Sequence, residues 1–255
     1  MGAYRNANAA LITVPEAARY DRHQVAQFPS MRPSNNRVAC LGDSRTFGCL
    51  ASDASNFGNS GQSWISYACQ FSRQRVYHDP ATMNFGVAGD TLAQMLARLP
   101  AALAGCDAGL WIVWGGTNSA NADVLAADMV ATATAIRDMI VNAGRICVFL
   151  DEAPRGDSTF TSLRFTAARL LNFHGLVKWF RTQQEVPGCY VIPIHDVLAV
   201  ANSATGDTNV GDTYDGLHQA GVGAFKLGGR VSTFFNSIYP ERPILCDQNS
   251  DLYDA

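Results

Sequence analysis

The chain reads as an α/β protein, a parallel sheet of about five strands with helices on both faces, and three observations predict it. Five short candidate strands, most of them continuously apolar, each end in Gly or a polar loop, as strands buried on both faces do. Between them lie longer stretches with apolar residues at helical spacing, and strands alternating with helices favour a doubly wound parallel sheet. The 255 residues are 47% hydrophobic and only 16% charged, enough apolar material for one large core.

Residues 1–36 contain Pro15, Pro29, Pro33 and the polar Ser34-Asn35-Asn36, and are expected to form an irregular arm packed on the domain surface. Residues 38–41 make the first strand, closed by Gly42. A polar Gly/Ser/Asn loop over residues 52–61 precedes Trp64, Ile65, Ala68 and Phe71 at helical spacing. Residues 82–85 are the second candidate strand. Leu92, Met95, Leu96 and Leu99 then fall at i, i+3, i+4 and i+7, a helix that Pro100 is expected to stop. Leu110–Trp114 is the third strand, ended by Gly115-Gly116. Trp111 and Trp114 are expected to share one of its faces, in the core, with Trp114 close enough to Gly115 to wall a pocket.

Asp123 is placed to cap a helix whose apolar face runs through Leu125, Met129, Ala133, Ile136 and Ile140 to Gly144. Ile146–Leu150 is the fourth strand, and Asp151-Glu152 after it is read as a solvated strand end. Phe165, Arg169, Phe173, Leu176, Val177 and Phe180 mark another helix, and residues 190–194 the fifth strand. A polar loop over residues 202–216 leads to a last helix carrying Phe225, Val231, Phe234 and Phe235. Residues 37–238 show no internal boundary and are read as one domain. Residues 239–255, with Pro243, Cys246 and Asp251, are expected to be a tail or a linker cut from a longer protein.

Net charge is −3 with no long basic run, which argues against a nucleic-acid partner. No apolar stretch approaches the roughly 20 residues needed to span a bilayer. Met1 begins no basic n-region followed by an apolar block, so no secretion signal is recognised. The compartment stays open, with a domain of an extracellular or virion-associated protein as the expectation. The seven cysteines are odd in number and none forms C-x-x-C, so no metal site and no redox motif is expected, and no cofactor. Cys40 and Cys147 read as core thiols, Cys49 as loop packing, and pairing among the seven is left open.

Chemistry enters with four short segments. Leu41-Gly42-Asp43-Ser44 places a hydroxyl directly after a strand, and Asp215-Gly216-Leu217-His218 is a compact acid–base pair. A serine hydroxyl needs a base during attack, and an imidazole near its ordinary pKa of about 6.5 can serve. Asp215 could hold the other imidazole N–H and fix the tautomer. Gly89 and Asn118 follow two further strands, where donors for a developing oxyanion are expected. A main-chain N–H at Gly89 could approach an oxygen unobstructed by a Cβ. All these positions would converge on the carboxyl edge of the sheet, where ligands bind in such folds.

Together with Asn84-Phe85-Gly86-Val87-Ala88-Gly89-Asp90-Thr91 and Gly115-Gly116-Thr117-Asn118, these segments resemble the ordered blocks of the SGNH (GDSL-type) hydrolase superfamily. The resemblance implies a three-layer α/β/α sandwich with a central sheet in flavodoxin-like order. It implies Ser44 as nucleophile, Ser44, Gly89 and Asn118 as oxyanion donors, and Asp215 and His218 completing the triad. Many members carry Asp after the third-block Asn, where this chain has Ser119.

Each segment alone has a plainer reading: Gly-Asp-Ser is turn chemistry, Asp215 could cap the final helix, and Asn118 could close an Asx turn. Four in order favour catalysis. His195-Asp196 after the fifth strand is a rival acid–base pair, and His174 reads as a core or boundary histidine. The expected activity is ester hydrolysis through a Ser44 acyl-enzyme, on a small ester or an O-acetylated glycan. Carbohydrate O-deacetylation is preferred over lipase, lysophospholipase or thioesterase action. An acyltransferase would use the same residues, and a noncatalytic glycan-binding domain could keep the same fold.

Overall fold

The computed structural model describes residues 3–4, 12–13, 32–48, 63–72, 76–156, 158–199 and 207–239. The expected surface arm lies almost wholly outside these residues. So do the 52–61 loop, Cys49, Cys246, residues 202–206 and nearly all of the 239–255 tail. Two short strands, β1 (Ala3–Tyr4) and β2 (Ile12–Thr13), pair antiparallel.

The central sheet consists of β3 (Val38–Gly42), β4 (Asn84–Gly86), β5 (Leu110–Trp114), β6 (Ile146–Leu150) and β7 (Cys189–Ile192). Its spatial order is β4-β3-β5-β6-β7, and every neighbouring pair is parallel. This is the flavodoxin-like order. The chain leaves β3 toward one edge and returns on its other side at β5, so the carboxyl ends of β3, β4 and β5 border a topological switch point.

Strand side chains alternate between two cores. Val38, Cys40, Ile112, Trp114 and Val148 meet α2 (Trp64–Phe71) and α9 (Gly221–Ile238) on one face. Ala39, Leu41, Trp111, Val113 and Phe149 meet α4 (Leu92–Gly105), α6 (Ala126–Asn142) and α7 (Ala167–Thr182) on the other. Three layers result. The outer helix pair α2 and α9 approaches closely because Gly228 has no side chain; a Cβ there would stand 2.4 Å from the Tyr67 Cβ and 2.9 Å from the Trp64 carbonyl oxygen. Short α-helical turns are α1 (Ser44–Phe47), α3 (Pro80–Met83), α5 (Thr117–Asn121) and α8 (His195–Leu198), with 3-10 turns at Thr161–Leu163 and Gln183–Glu185.

Several expectations need correction. Trp111 and Trp114 are three residues apart, so a period of two sends them to opposite faces, one into each core. Residues 82–83 belong to α3, because the Asp79 carboxylate accepts from Ala81 N and Thr82 Oγ1 and Pro80 opens the turn; the strand starts at Asn84. Pro100 does not stop α4, which runs to Gly105. Its ring faces solvent, where a freed carbonyl can turn to water, while Leu99 and Ala102 hold the helix on the sheet.

Asp123 caps nothing. It adopts φ +59 and pairs with Arg169, and α6 starts after Leu125 without a side-chain cap. Leu125 is 60% exposed and so lies off the apolar face, and Phe225 is 54% exposed against Tyr67 and Phe71 on the surface. Phe165 precedes α7, whose N-cap is Thr166. Cys40, Cys69, Cys106, Cys147 and Cys189 are free thiols.

Candidate active site

Ser44 opens α1 immediately after β3. Asp43 is its N-cap and accepts from Arg45 N at 2.9 Å, so the chain turns sharply and lifts the Ser44 side chain to the sheet edge. Ser44 is 8% exposed. Its Oγ lies 2.8 Å from His218 Nε2, and His218 Nδ1 lies 2.6 Å from Asp215 Oδ2. With Nδ1–H donating to the carboxylate, Nε2 is left to accept from the Ser44 hydroxyl.

The acid–base turn is held from several sides. Asp215 Oδ1 accepts from the N–H groups of Leu217 and His218 at 2.9 and 2.7 Å, and the Gly216 N–H donates to Thr213 Oγ1. Burial pushes the Asp215 carboxyl up. Hydrogen bonds from the His218 ring and from the two N–H groups outweigh burial and hold it below the usual carboxylate range. Tyr214 stacks on the His218 ring, centroids 5.8 Å apart. Gly216 sits at φ +80, and a Cβ there would stand 2.7 Å from Phe160 Cβ.

Gly89 and Asn118 follow β4 and β5, the strands on either side of β3. Asn118 Nδ2 donates to the Asp90 carbonyl at 3.0 Å, which ties the two loops. Gly89 has φ +83 and open space where a Cβ would be, so its requirement is backbone conformation rather than a close approach within the protein. Ser119 Oγ accepts from Leu92 N at 3.0 Å and so anchors the start of α4 to the third block. Arg98 binds the Asp90 carboxylate through Nε and the Gly42 carbonyl through a terminal nitrogen, which joins the first two blocks. Asn84 Nδ2 donates to Thr46 O in the same sense.

Beneath Ser44 lies an ion triad that sequence reasoning missed. Asp151 and Glu152 are both 0% exposed, so the expected solvated strand end is overturned. The Glu152 carboxylate receives two Arg45 N–H donors at 2.7 and 3.2 Å, and Asp43 receives Arg45 Nε and a terminal nitrogen at 3.2 and 2.9 Å. The Arg45 guanidinium lies over the Trp114 ring at 4.6 Å, and Trp64 Nε1 donates to the Arg45 carbonyl. Burial raises Glu152 against the opposing pull of Arg45, while Asp43 and Glu152 keep Arg45 charged. Glu152 itself adopts φ +88, a conformation a glutamate holds only when surroundings impose it. The only signal available in the sequence was an Arg directly after the Ser, with no hint of its partner 107 residues later.

Asp151 serves the next strand: it accepts from Ile194 N and His195 N and pairs with Arg181. The rival His195-Asp196 pair is taken apart by this arrangement. His195 is half-buried, and desolvation pulls it below the ordinary imidazole range, while Asp196 pairs with Arg230. His174 is half-buried in α7 and pulled down to about 4 by burial and by the charges of His195 and Arg181. Among the described residues no three His, Cys, Asp or Glu side chains group as metal ligands.

A sequence profile of the GDSL-like lipase/acylhydrolase family matches residues 40–223, more than two thirds of the chain. The chain belongs to this family. As a member it is a serine ester hydrolase. No curated protein matches it in sequence. Among solved structures, it is similar to a lipase/acylhydrolase from Enterococcus faecalis, with 19% identity, TM-score 0.62, and coverage of 81% of this chain and 98% of that one. A lipolytic protein of the G-D-S-L family from Desulfitobacterium hafniense gives 18% identity and TM-score 0.60, over 78% and 98%. A GDSL-like lipase from Bacteroides thetaiotaomicron gives 12% and 0.56, over 85% and 98%. At such identities the likeness is one of fold.

Proposed function

We propose that Ser44 is the nucleophile of this GDSL-like hydrolase, His218 its general base and Asp215 the residue that orients His218, and that the substrate is an O-acetylated carbohydrate. The observation that carries the assignment is the continuous chain from Ser44 Oγ through the imidazole to Asp215, 2.8 and 2.6 Å. Ser44 Oγ attacks the ester carbonyl while His218 Nε2 takes its proton. The negative oxygen that develops is received by the N–H groups of Ser44 and Gly89 and by the Asn118 amide, donors fixed before the reaction starts. Collapse expels the sugar alcohol, protonated by His218, and leaves an acetyl-Ser44 ester. Water activated by His218 then releases acetate.

Tyr214 stacks on His218, and the half-buried Arg155 adjoins Gly156, which is bonded to the Asp215–His218 turn. Such groups suit a sugar better than an acyl chain. Longer esters are the second reading, favoured by the description of the E. faecalis relative as a lipase/acylhydrolase. The test compares acetate release from an O-acetylated polysaccharide with turnover of p-nitrophenyl esters of rising acyl length. The glycan reading expects acetate release and a steep fall beyond acetyl; a rise toward long chains contradicts it. Ser44→Ala that keeps wild-type turnover would remove Ser44 from its role.

A further inference from the structure

Arg155 follows the buried Glu152 and directly precedes Gly156, whose N–H donates to the Gly216 carbonyl at 2.6 Å. Gly216 lies inside the Asp215–His218 turn, so the backbone of Arg155 is pinned beside that pair. The side chain is half-buried and anchored at one end only. Its Nε donates to the Leu163 carbonyl at 2.6 Å, and the guanidinium lies over the Phe165 ring at 5.1 Å. The Thr208 N–H to Gly156 bond and the Arg164–Asp207 ion pair hold the same loop on the 207–216 segment.

Arg45, Arg98, Arg164, Arg169 and Arg181, which border the same strand ends, each meet a carboxylate. Arg155 meets none among the described residues, and no described group accepts from its two terminal nitrogens. The charges that act on it are those of Arg45 beneath Ser44, Arg169 beyond the helix that Asn118 belongs to, Asp215 and Asp43. The Gly156–Gly216 bond sets Arg155 beside the Asp215–His218 turn at the sheet edge. Burial, with Arg45 and Arg169 as neighbours, also works against its charge, so an anion arriving there would be welcomed.

We propose that Arg155 is a substrate-binding residue whose terminal donors clamp a carboxylate on the alcohol portion of the ester, which makes an acidic sugar the preferred substrate. A guanidinium held by its Nε presents the remaining two-pronged edge in fixed orientation, the geometry that a carboxylate accepts. The alcohol portion is assigned because the alcohol departs past His218, and the Gly156–Gly216 bond puts Arg155 on that side. The inference rests on the acid–base assignment given above.

The test uses the full chain with 4-acetoxybenzoate and its neutral amide, 4-acetoxybenzamide, and follows the ratio of their kcat/KM values. Arg155→Gln should lower that ratio about tenfold to a hundredfold, chiefly through KM on the benzoate, with Arg155→Lys intermediate. Added salt should lower the wild-type ratio, since the site is half open to solvent. Independently of any variant, 4-hydroxybenzoate should inhibit wild-type enzyme more strongly than 4-hydroxybenzamide. An unchanged ratio in Arg155→Gln, or equal inhibition by the two phenols, overturns the proposal. Failure of the underlying assignment looks different: Ser44→Ala would then still cleave both esters.

Discussion

The buried triad of Asp43, Arg45 and Glu152 makes a quantitative prediction about Arg45→Met. The substitution keeps an apolar stem against Trp114 but leaves two fully buried carboxylates without a cation. Removing one partner of a buried pair costs about 3–5 kcal/mol. For a chain of this size that is roughly 6–20 °C in Tm. Glu152→Gln preserves volume and one acceptor, so about 1–3 kcal/mol is expected. The double variant removes the guanidinium and one of the stranded charges together, so it should cost at least about 1 kcal/mol less than the sum of the two.

A pH dependence follows as well. Burial already raises Glu152, and losing Arg45 removes the cation that opposed the rise. A carboxyl raised in the folded state binds its proton there more tightly than in the unfolded chain, so stability is lost as pH rises through the folded value. The deficit of Arg45→Met should therefore grow with pH. Urea titrations of the four proteins at two pH values decide the matter. An Arg45→Met midpoint equal to wild type, or strict additivity in the double variant, would refute the account of the triad.

Gly89→Ala should cost only about 1–2 kcal/mol of stability, because its strain is the left-handed backbone and no atom stands where the Cβ would go. The N–H itself is kept, so kcat should fall by less than the roughly 10²–10³ of a deleted oxyanion donor, through a turned backbone or a methyl group beside the reacting oxygen; thermal melts beside steady-state kinetics separate the two effects. His174 is held down to about 4, while an unfolded imidazole titrates near 6.5. The unfolded chain thus binds the extra proton in between, so this contribution is complete above about 6.5 and lost as pH falls toward 4. Tm measured across that window should fall in the wild type and fall less steeply in His174→Gln.

How much of this was legible in the sequence depends on the range of the forces involved. The parallel sheet could be read because strands buried on both faces must be apolar without interruption, as in Leu110–Trp114 and Ile146–Leu150. The positions of Ser44, Gly89, Asn118 and the Asp215–His218 turn could be read because each follows a strand or a loop at the same sheet edge. Pro100 misled because burial of Leu99 and Ala102 outweighed a local breaker. The Trp111–Trp114 expectation broke the two-residue period itself, a slip of register rather than a tertiary effect. Asp151 and Glu152 were invisible for another reason. Two adjacent carboxylates read as solvated unless their arginines, Arg181 and Arg45, are known to come from distant helices. Arg155 shares that blindness: that it meets no carboxylate among the described residues is a property of the folded loop, not of its neighbours in sequence.

The most direct measurement on the central claim is covalent labelling with a fluorophosphonate, read by intact mass and peptide mapping. The arrangement of Ser44, His218 and Asp215 predicts a single adduct on the peptide carrying Ser44, formed much more slowly in His218→Ala and not at all in Ser44→Ala. Wild-type protein that stays unlabelled while cleaving esters, or an adduct on any other residue, would contradict it.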